Sequence, residues 1–250
     1  MNPSPQGHLF IIGAQRSGTT QLVKQLDSHP SISMAVPQYP EPKWFLNPDR
    51  SNDVEAYLGV HFPKDNRNLW LGEKSTSYLE KPEAAKRIKT YIDNPHIFVI
   101  IRDPIERAIS NFHYSVMNGV ETRTLEEALD PECIGATPPW DYDEFSTSPF
   151  GYLERGLYFR LLRPWRDVFG EDLHILMFEE VVQGYGGRRV ASHLELVSRE
   201  FEVPTTPVNS APRNGPKPTR CLRERLKEFF ESPNRELSKA FGIDNSHWCN

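Results

Sequence analysis

Between Gly13 and Thr20 the chain reads Gly-Ala-Gln-Arg-Ser-Gly-Thr-Thr, directly after the apolar run Leu9–Ile12 and before Leu22, Val23 and Leu26 at helical spacing. A loop placed between a strand and a helix offers successive backbone N–H groups, and the positive end of the helix, to an anion. Gly13 and Gly18 have the spacing of the nucleoside-triphosphate loop GxxxxGK[ST], but Thr19 stands where that motif requires lysine. The cation is instead Arg16, inside the loop, which suits a smaller anion. Gln15, Arg16, Ser17, Gly18, Thr19 and Thr20 are therefore candidate anion-binding residues.

A second departure points the same way. In nucleoside triphosphatases with this loop, another apolar strand ends in an aspartate that helps hold magnesium. Here the run Ile97–Ile101 ends in Arg102. A guanidinium there repels a cation and pairs with a phosphate through two parallel hydrogen bonds. Ser110, eight residues on, can add a hydroxyl to the same group. The competing reading of Arg102 is an ordinary ion pair with Asp103 or Glu106.

These residues need a scaffold that brings strand ends together. Leu9–Ile12, Ile97–Ile101 and His174–Phe178 are short continuous apolar runs, as expected of strands buried on both faces. Helical patterns follow over Thr19–Asp27 and from Pro104 to about Met117, and another runs from about Glu154 to Phe169. Strands alternating with helices predict an α/β fold, a three-layer α/β/α sandwich like that of the P-loop nucleoside triphosphatases, with a mainly parallel central sheet. The stretch Pro131–Pro149 reads as a long loop able to cover a site, and Val203–Thr219 as a second irregular stretch before a C-terminal helix marked by Leu222, Leu226, Phe229 and Phe230.

Composition narrows the classes further. The 250 residues, 38% of them hydrophobic, fit a single domain over 1–250. A net charge of −5 speaks against a nucleic-acid binder and confines any anion site to a local cluster. Met1–Gly7 lacks the pattern of a signal peptide and no apolar run is long enough to span a membrane. Cys133, Cys221 and Cys249 are widely spaced with no CxxC pair, so neither a zinc site nor a disulfide framework is indicated, and a cytoplasmic location is expected. No heptad pattern gives an oligomeric state.

At this point the sequence resembles the sulfotransferase family, in particular its carbohydrate-type and bacterial branches, including the heparan sulfate sulfotransferase domains. The resemblance is carried by Ile11–Thr20, Leu26-Asp27-Ser28-His29-Pro30, Glu41-Pro42-Lys43-Trp44-Phe45, Gly72-Glu73-Lys74-Ser75-Thr76, Ile101-Arg102-Asp103-Pro104 with Glu106, Arg107 and Ser110, and Arg155-Gly156-Leu157-Tyr158. These landmarks stand in the family's order over roughly residues 9–180. The segment Arg213–Lys217 is similar in character to the family's late cofactor loop, which adds Arg213 and Lys217 as candidates.

The resemblance implies the donor 3′-phosphoadenosine 5′-phosphosulfate (PAPS), with product 3′-phosphoadenosine 5′-phosphate (PAP) and no metal. It implies that the loop holds the 5′-phosphosulfate and that Arg102 and Ser110 hold the 3′-phosphate. By position Glu41 is similar to the family's general base and Lys74 to a cation near the reacting sulfate. Where many members carry lysine this chain has Arg16, which does not readily give up a proton and is assigned charge stabilisation only. The implied reaction is in-line transfer of a sulfuryl group to a hydroxyl or amine of a small metabolite or glycan. A competing arrangement pairs Glu41 with Lys43 alone. Trp44, Phe45, Tyr78 and Trp140 are candidates to line an acceptor pocket, with core packing as the default for each. His29 is expected to be a buried turn residue, and His113 shares a helical face with Ser110. The rival functions are a P-loop kinase or nucleoside triphosphatase and a noncatalytic nucleotide-binding protein.

Overall fold

The computed structural model describes residues 5–63, 69–135, 147–196, 201 and 215–248. The chain divides into two compact units, Met1–Ile101 with Pro164–Val208, and Arg102–Arg163 with Asn209–Asn250.

The first unit is built on a parallel sheet of five strands: β1 (Gly7–Gly13), β2 (Ile32–Met34), β3 (Trp70–Lys74), β4 (Pro95–Ile101) and β5 (Leu173–Met177), in the order β2-β3-β1-β4-β5. β1 is central, with Ile11 opposite Lys74 of β3 on one side and opposite Phe98 of β4 on the other. Every residue of β1 is buried, which is why it reads as a continuous apolar run rather than an alternating one. Leu9 and Ile11 join Phe98 and Ile100 in a core completed by Leu22, Val23 and Leu26 of α1 (Thr19–Asp27) and by Val190 and Ala191 of a later helix, Gly186–His193. Phe10 turns to the opposite face, where its ring meets Phe45 edge-on at 5.8 Å. Helices α2 (Val54–His61) and α3 (Pro82–Tyr91) also belong to this unit, α3 starting on Pro82 and burying Ala84, Ala85 and Ile88. The α/β architecture with a parallel central sheet is thus as the sequence predicts.

The second unit is helical. Helix α4 (Pro104–Met117) starts where the sequence places it, because Asp103 caps it by accepting from the N–H groups of Ile105 at 2.8 Å and Glu106 at 3.2 Å. Ile105, Ala108, Ile109 and Phe112 pack with Leu125 of α5 (Leu125–Ala128), Tyr152, Leu153, and Leu222, Leu226 and Phe230 of the C-terminal helix Arg220–Phe241.

Two boundaries differ from expectation. The helix predicted from Glu154 begins at Tyr158 as α6 (Tyr158–Phe169), preceded by a separate 3-10 turn over Glu154–Gly156. Close packing sets that turn: a Cβ on Gly156 would lie 2.8 Å from Pro104 Cβ and 2.9 Å from Phe230 Cε1. Phe178, counted with the third strand, instead opens α7 (Phe178–Val182), since Glu180 reaches back to accept from the Met177 N–H at 3.2 Å. The loop predicted over Pro131–Pro149 begins with a 3-10 turn at Pro131–Cys133, while 136–146 lie outside the described residues, as do 203–214 of the second irregular stretch.

Candidate functional site

The phosphate loop leaves β1 at Gly13 and enters α1 at Thr19. Its backbone is shaped by three positions with positive φ, Gly13 at 154°, Arg16 at 66° and Gly18 at 84°. Gly18 tolerates that angle because it has no Cβ, and it starts α1 without a side-chain cap or an acidic residue in the first turn. The helix N-terminus therefore keeps its positive character for another anion. Ser17 is fully buried within this loop and its Oγ has no hydrogen-bond partner. A buried hydroxyl left unsatisfied is costly, and a phosphate or sulfate oxygen is the kind of acceptor that would satisfy it.

Beside the loop, on the neighbouring strand, β3 ends at Lys74, and the Ser75 N–H donates to Ile11 O of β1 at 3.1 Å. Lys74 Nζ pairs with Glu41 Oε1 at 3.1 Å, both side chains lying mostly out of solvent at 13% and 15% exposure. Glu41 also accepts from the Thr76 N–H at 2.8 Å and from Thr76 Oγ1 at 3.0–3.1 Å. Two residues 33 apart in the chain that were assigned separate roles are thus direct partners. The arrangement of Glu41 with Lys43 alone gives way to the Lys74 pair.

Beneath that pair lies a buried carboxyl to which the sequence assigns no role. Glu73 is 1% exposed; Ser75 Oγ donates to its Oε1 at 2.6 Å and Tyr57 Oη to its Oε2 at 2.9 Å, with the Tyr78 hydroxyl bonded to it as well. Burial pushes the Glu73 carboxyl above its ordinary value, the hydroxyl donors pull it back, and the charge of Glu41 pushes it further up. Burial holds the Tyr57 and Tyr78 hydroxyls well above the ordinary tyrosine value, so both keep their protons for donation. A glutamate in a strand, here between Gly72 and Lys74, looks like a surface residue in sequence, and no local pattern marks it as buried.

The aromatic candidates fall differently. Trp44, Phe45 and Tyr78 are buried core residues: Phe45 packs on Tyr57 at 5.2 Å, and Trp44 on Tyr57 at 5.8 Å. Trp140 lies outside the described residues. His29 is buried and its Nδ1 accepts from the Ser31 N–H at 3.2 Å, as expected of a turn residue.

In the second unit, Arg102 is half-buried, and Tyr158 fixes its backbone twice: Tyr158 Oη accepts from the Arg102 N–H at 3.3 Å and donates to its carbonyl at 2.9 Å. Asp103 is the cap of α4, and Glu106 pairs with Arg223 at 2.9 Å. Ser110 is half-buried on α4. One turn on, His113 Nε2 meets the Pro216 carbonyl at 2.8 Å and its ring lies where a Cβ on Gly215 would fall, which ties this segment to α4. Lys217 in that segment is exposed and Arg213 is outside the described residues. Arg107 and Arg155 are buried and both donate to Asn111 Oδ1 at 3.2 Å, while Arg107 also reaches the Tyr152 carbonyl and Arg155 that of Ser148.

Among the described residues no group of three or more His, Cys, Asp or Glu is gathered to hold a metal ion, and no helix is long and apolar enough to cross a membrane. Cys133 and Cys221 are exposed free thiols.

The chain thus combines a parallel α/β sheet, an uncapped strand-to-helix loop at its central strand and an acid–cation pair on the neighbouring strand, an arrangement chemically suited to an anion. The family model for the sulfotransferase domain matches residues 6–187, and the chain belongs to the sulfotransferase family, enzymes that transfer sulfate. It is 26% identical to a bifunctional heparan sulfate N-deacetylase/N-sulfotransferase 1 of Caenorhabditis elegans, covering 95% of this chain and 28% of that protein. It is 32% identical to the membrane-associated sulfotransferase kil1 of Dictyostelium discoideum over 44% of this chain and 23% of that one. The chain thus spans about a quarter of the length of these curated relatives. Among solved structures, a sulfotransferase from Alicyclobacillus acidocaldarius has the same fold, with a TM-score of 0.73 at 23% identity over 98% of this chain and 99% of that one.

Proposed function

We propose that this chain transfers a sulfuryl group from PAPS to a hydroxyl or amine of a carbohydrate or small hydroxylated acceptor. The observation that carries this reading is the Lys74–Glu41 pair at 3.1 Å, at the end of the strand next to the phosphate loop. The donor supplies an activated sulfate whose departure leaves PAP. Glu41 takes the proton from the acceptor's attacking oxygen or nitrogen at a carboxylate oxygen, while Thr76 and Lys74 hold that carboxylate in place. Lys74, Arg16 and the N–H groups of residues 15–20 stabilise negative charge as it builds on the leaving oxygen. The orphaned Ser17 hydroxyl and the uncapped start of α1 support a bound 5′-phosphosulfate. Arg102 and Ser110, with Lys217 and Arg213, hold the 3′-phosphate, Arg102 by a bidentate contact.

Relatives named for heparan sulfate favour a carbohydrate acceptor. The test is transfer of labelled sulfur from PAPS to glucosamine-containing oligosaccharides, compared with small hydroxylated compounds. Labelled oligosaccharide supports the reading; no transfer to either set, together with no affinity for PAP, removes it.

A further inference from the structure

We propose that Glu73 is a positioning residue for the transfer reaction: it orients the hydroxyls of Ser75 and Tyr78 so that they clamp the backbone of residues 43–45 and hold Glu41 on Lys74. The inference rests on the reading of Glu41 as the base and extends it to a residue that touches no substrate.

Along β3 and its extended continuation at Ser75, whose φ is −140°, successive side chains point to opposite faces. The even residues Lys74 and Thr76 take the Glu41 carboxylate. The odd residues Glu73 and Ser75 take the chain that follows it: Ser75 Oγ accepts from the Lys43 N–H at 2.9 Å while donating to Glu73 at 2.6 Å. Tyr78 repeats the pattern, its Oη accepting from the Phe45 N–H at 3.1 Å while bonded to Glu73.

A hydroxyl has one proton. Given to the Glu73 carboxyl, that proton leaves the oxygen's lone pairs facing the loop amides, so the carboxyl sets the polarity of both hydroxyls. Lys43 needs such a hold, since its φ of 49° is a conformation that non-glycine residues adopt only under constraint. Tyr57 completes the shell from α2 with its bond to Oε2 at 2.9 Å. Arg87 of α3 secures the far side of the segment by donating to the carbonyls of Phe45 at 3.0 Å and Leu46 at 2.9 Å. Replacing the carboxyl by an amide of the same shape presents N–H donors to hydroxyls that already accept from the backbone. The geometry then loses its single direction without losing packing.

The test uses the full chain, with Glu73→Gln and Ser75→Ala, and reads amide hydrogen exchange, turnover and PAP affinity. In Glu73→Gln the amides of Lys43 and Phe45 are expected to exchange about tenfold faster, the weight of a weakened hydrogen bond. Turnover is expected to fall roughly 10- to 100-fold, as for a misplaced catalytic group, with PAP affinity and melting temperature retained. Ser75→Ala should free the Lys43 amide and leave that of Phe45 protected, and it lowers turnover even if the glutamine variant fails to fold. Unchanged exchange at both amides in a folded Glu73→Gln, or turnover within twofold of wild type, overturns the proposal. The exchange readout is independent of Glu41, whereas wild-type turnover in Glu41→Gln would remove the base assignment alone.

Discussion

Around Glu73 in the first unit, hydroxyls donate inward to a buried carboxyl and accept outward from loop amides, so one ionisable group sets the direction of several hydrogen bonds. In the second unit two buried guanidiniums, Arg107 and Arg155, converge on a neutral acceptor, Asn111 Oδ1, and on loop carbonyls. The first arrangement organises a segment carrying a proton-accepting candidate. The second cross-links loop backbone to the helix that carries Ser110. The carboxyl fixes which way two loop-facing hydroxyls point, whereas the guanidiniums, which only donate, pin carbonyl oxygens and sustain packing. Substitutions in the two places should therefore fail in different ways.

The largest contrast is expected at Glu41. Glu41→Gln should lower turnover by about 10²–10⁴-fold, the usual weight of a general base, with PAP affinity kept; steady-state transfer assays beside calorimetry check this. Asn111→Ala should act on the other side of the comparison. Leaving buried guanidinium donors without their shared acceptor should cost about 1–3 kcal/mol of stability, read by urea or thermal unfolding, with a far smaller effect on turnover per folded molecule. A large turnover loss at unchanged stability would break the distinction.

The smallest effect is a pH slope. The Glu73 carboxyl has a folded-state pKa raised above 4.5, mainly by burial, so the folded state holds its proton to higher pH than the unfolded chain. Stability from this group is then full below 4.5 and declines as pH rises from there through the raised folded value. Glu73→Gln should remove that decline, and melting curves across this range should show a flatter profile than wild type.

The contrast also explains what the sequence discloses. Leu9–Ile12 and Ile97–Ile101 announce their strands because both faces are buried, and Gly13, Gly18 and Pro104 punctuate the chain where backbone geometry demands it. β3 is less legible, since a strand holding Gly72, Glu73 and Lys74 has neither a continuous apolar run nor clean alternation. Glu41 and Lys74 were named through resemblance; that they touch follows from the fold of a loop with no periodicity. Trp44, Phe45 and Tyr78 stand beside the site in sequence but pack inward, because large aromatic rings fill the layer between sheet and helices. His113 was noted for its helical face, yet its partner at Pro216 is 103 residues away, a distance no local pattern spans.

The proposed function requires that the chain bind a 3′-phosphorylated adenosine donor, with Arg102 on its 3′-phosphate. Calorimetry with PAP in the absence of magnesium, on wild type and Arg102→Ala, tests it most directly. The account predicts binding by wild type that weakens about 10- to 100-fold in the variant, the weight of a charge-assisted hydrogen bond. Binding of ATP with magnesium in preference to PAP, unaffected by Arg102→Ala, would contradict it.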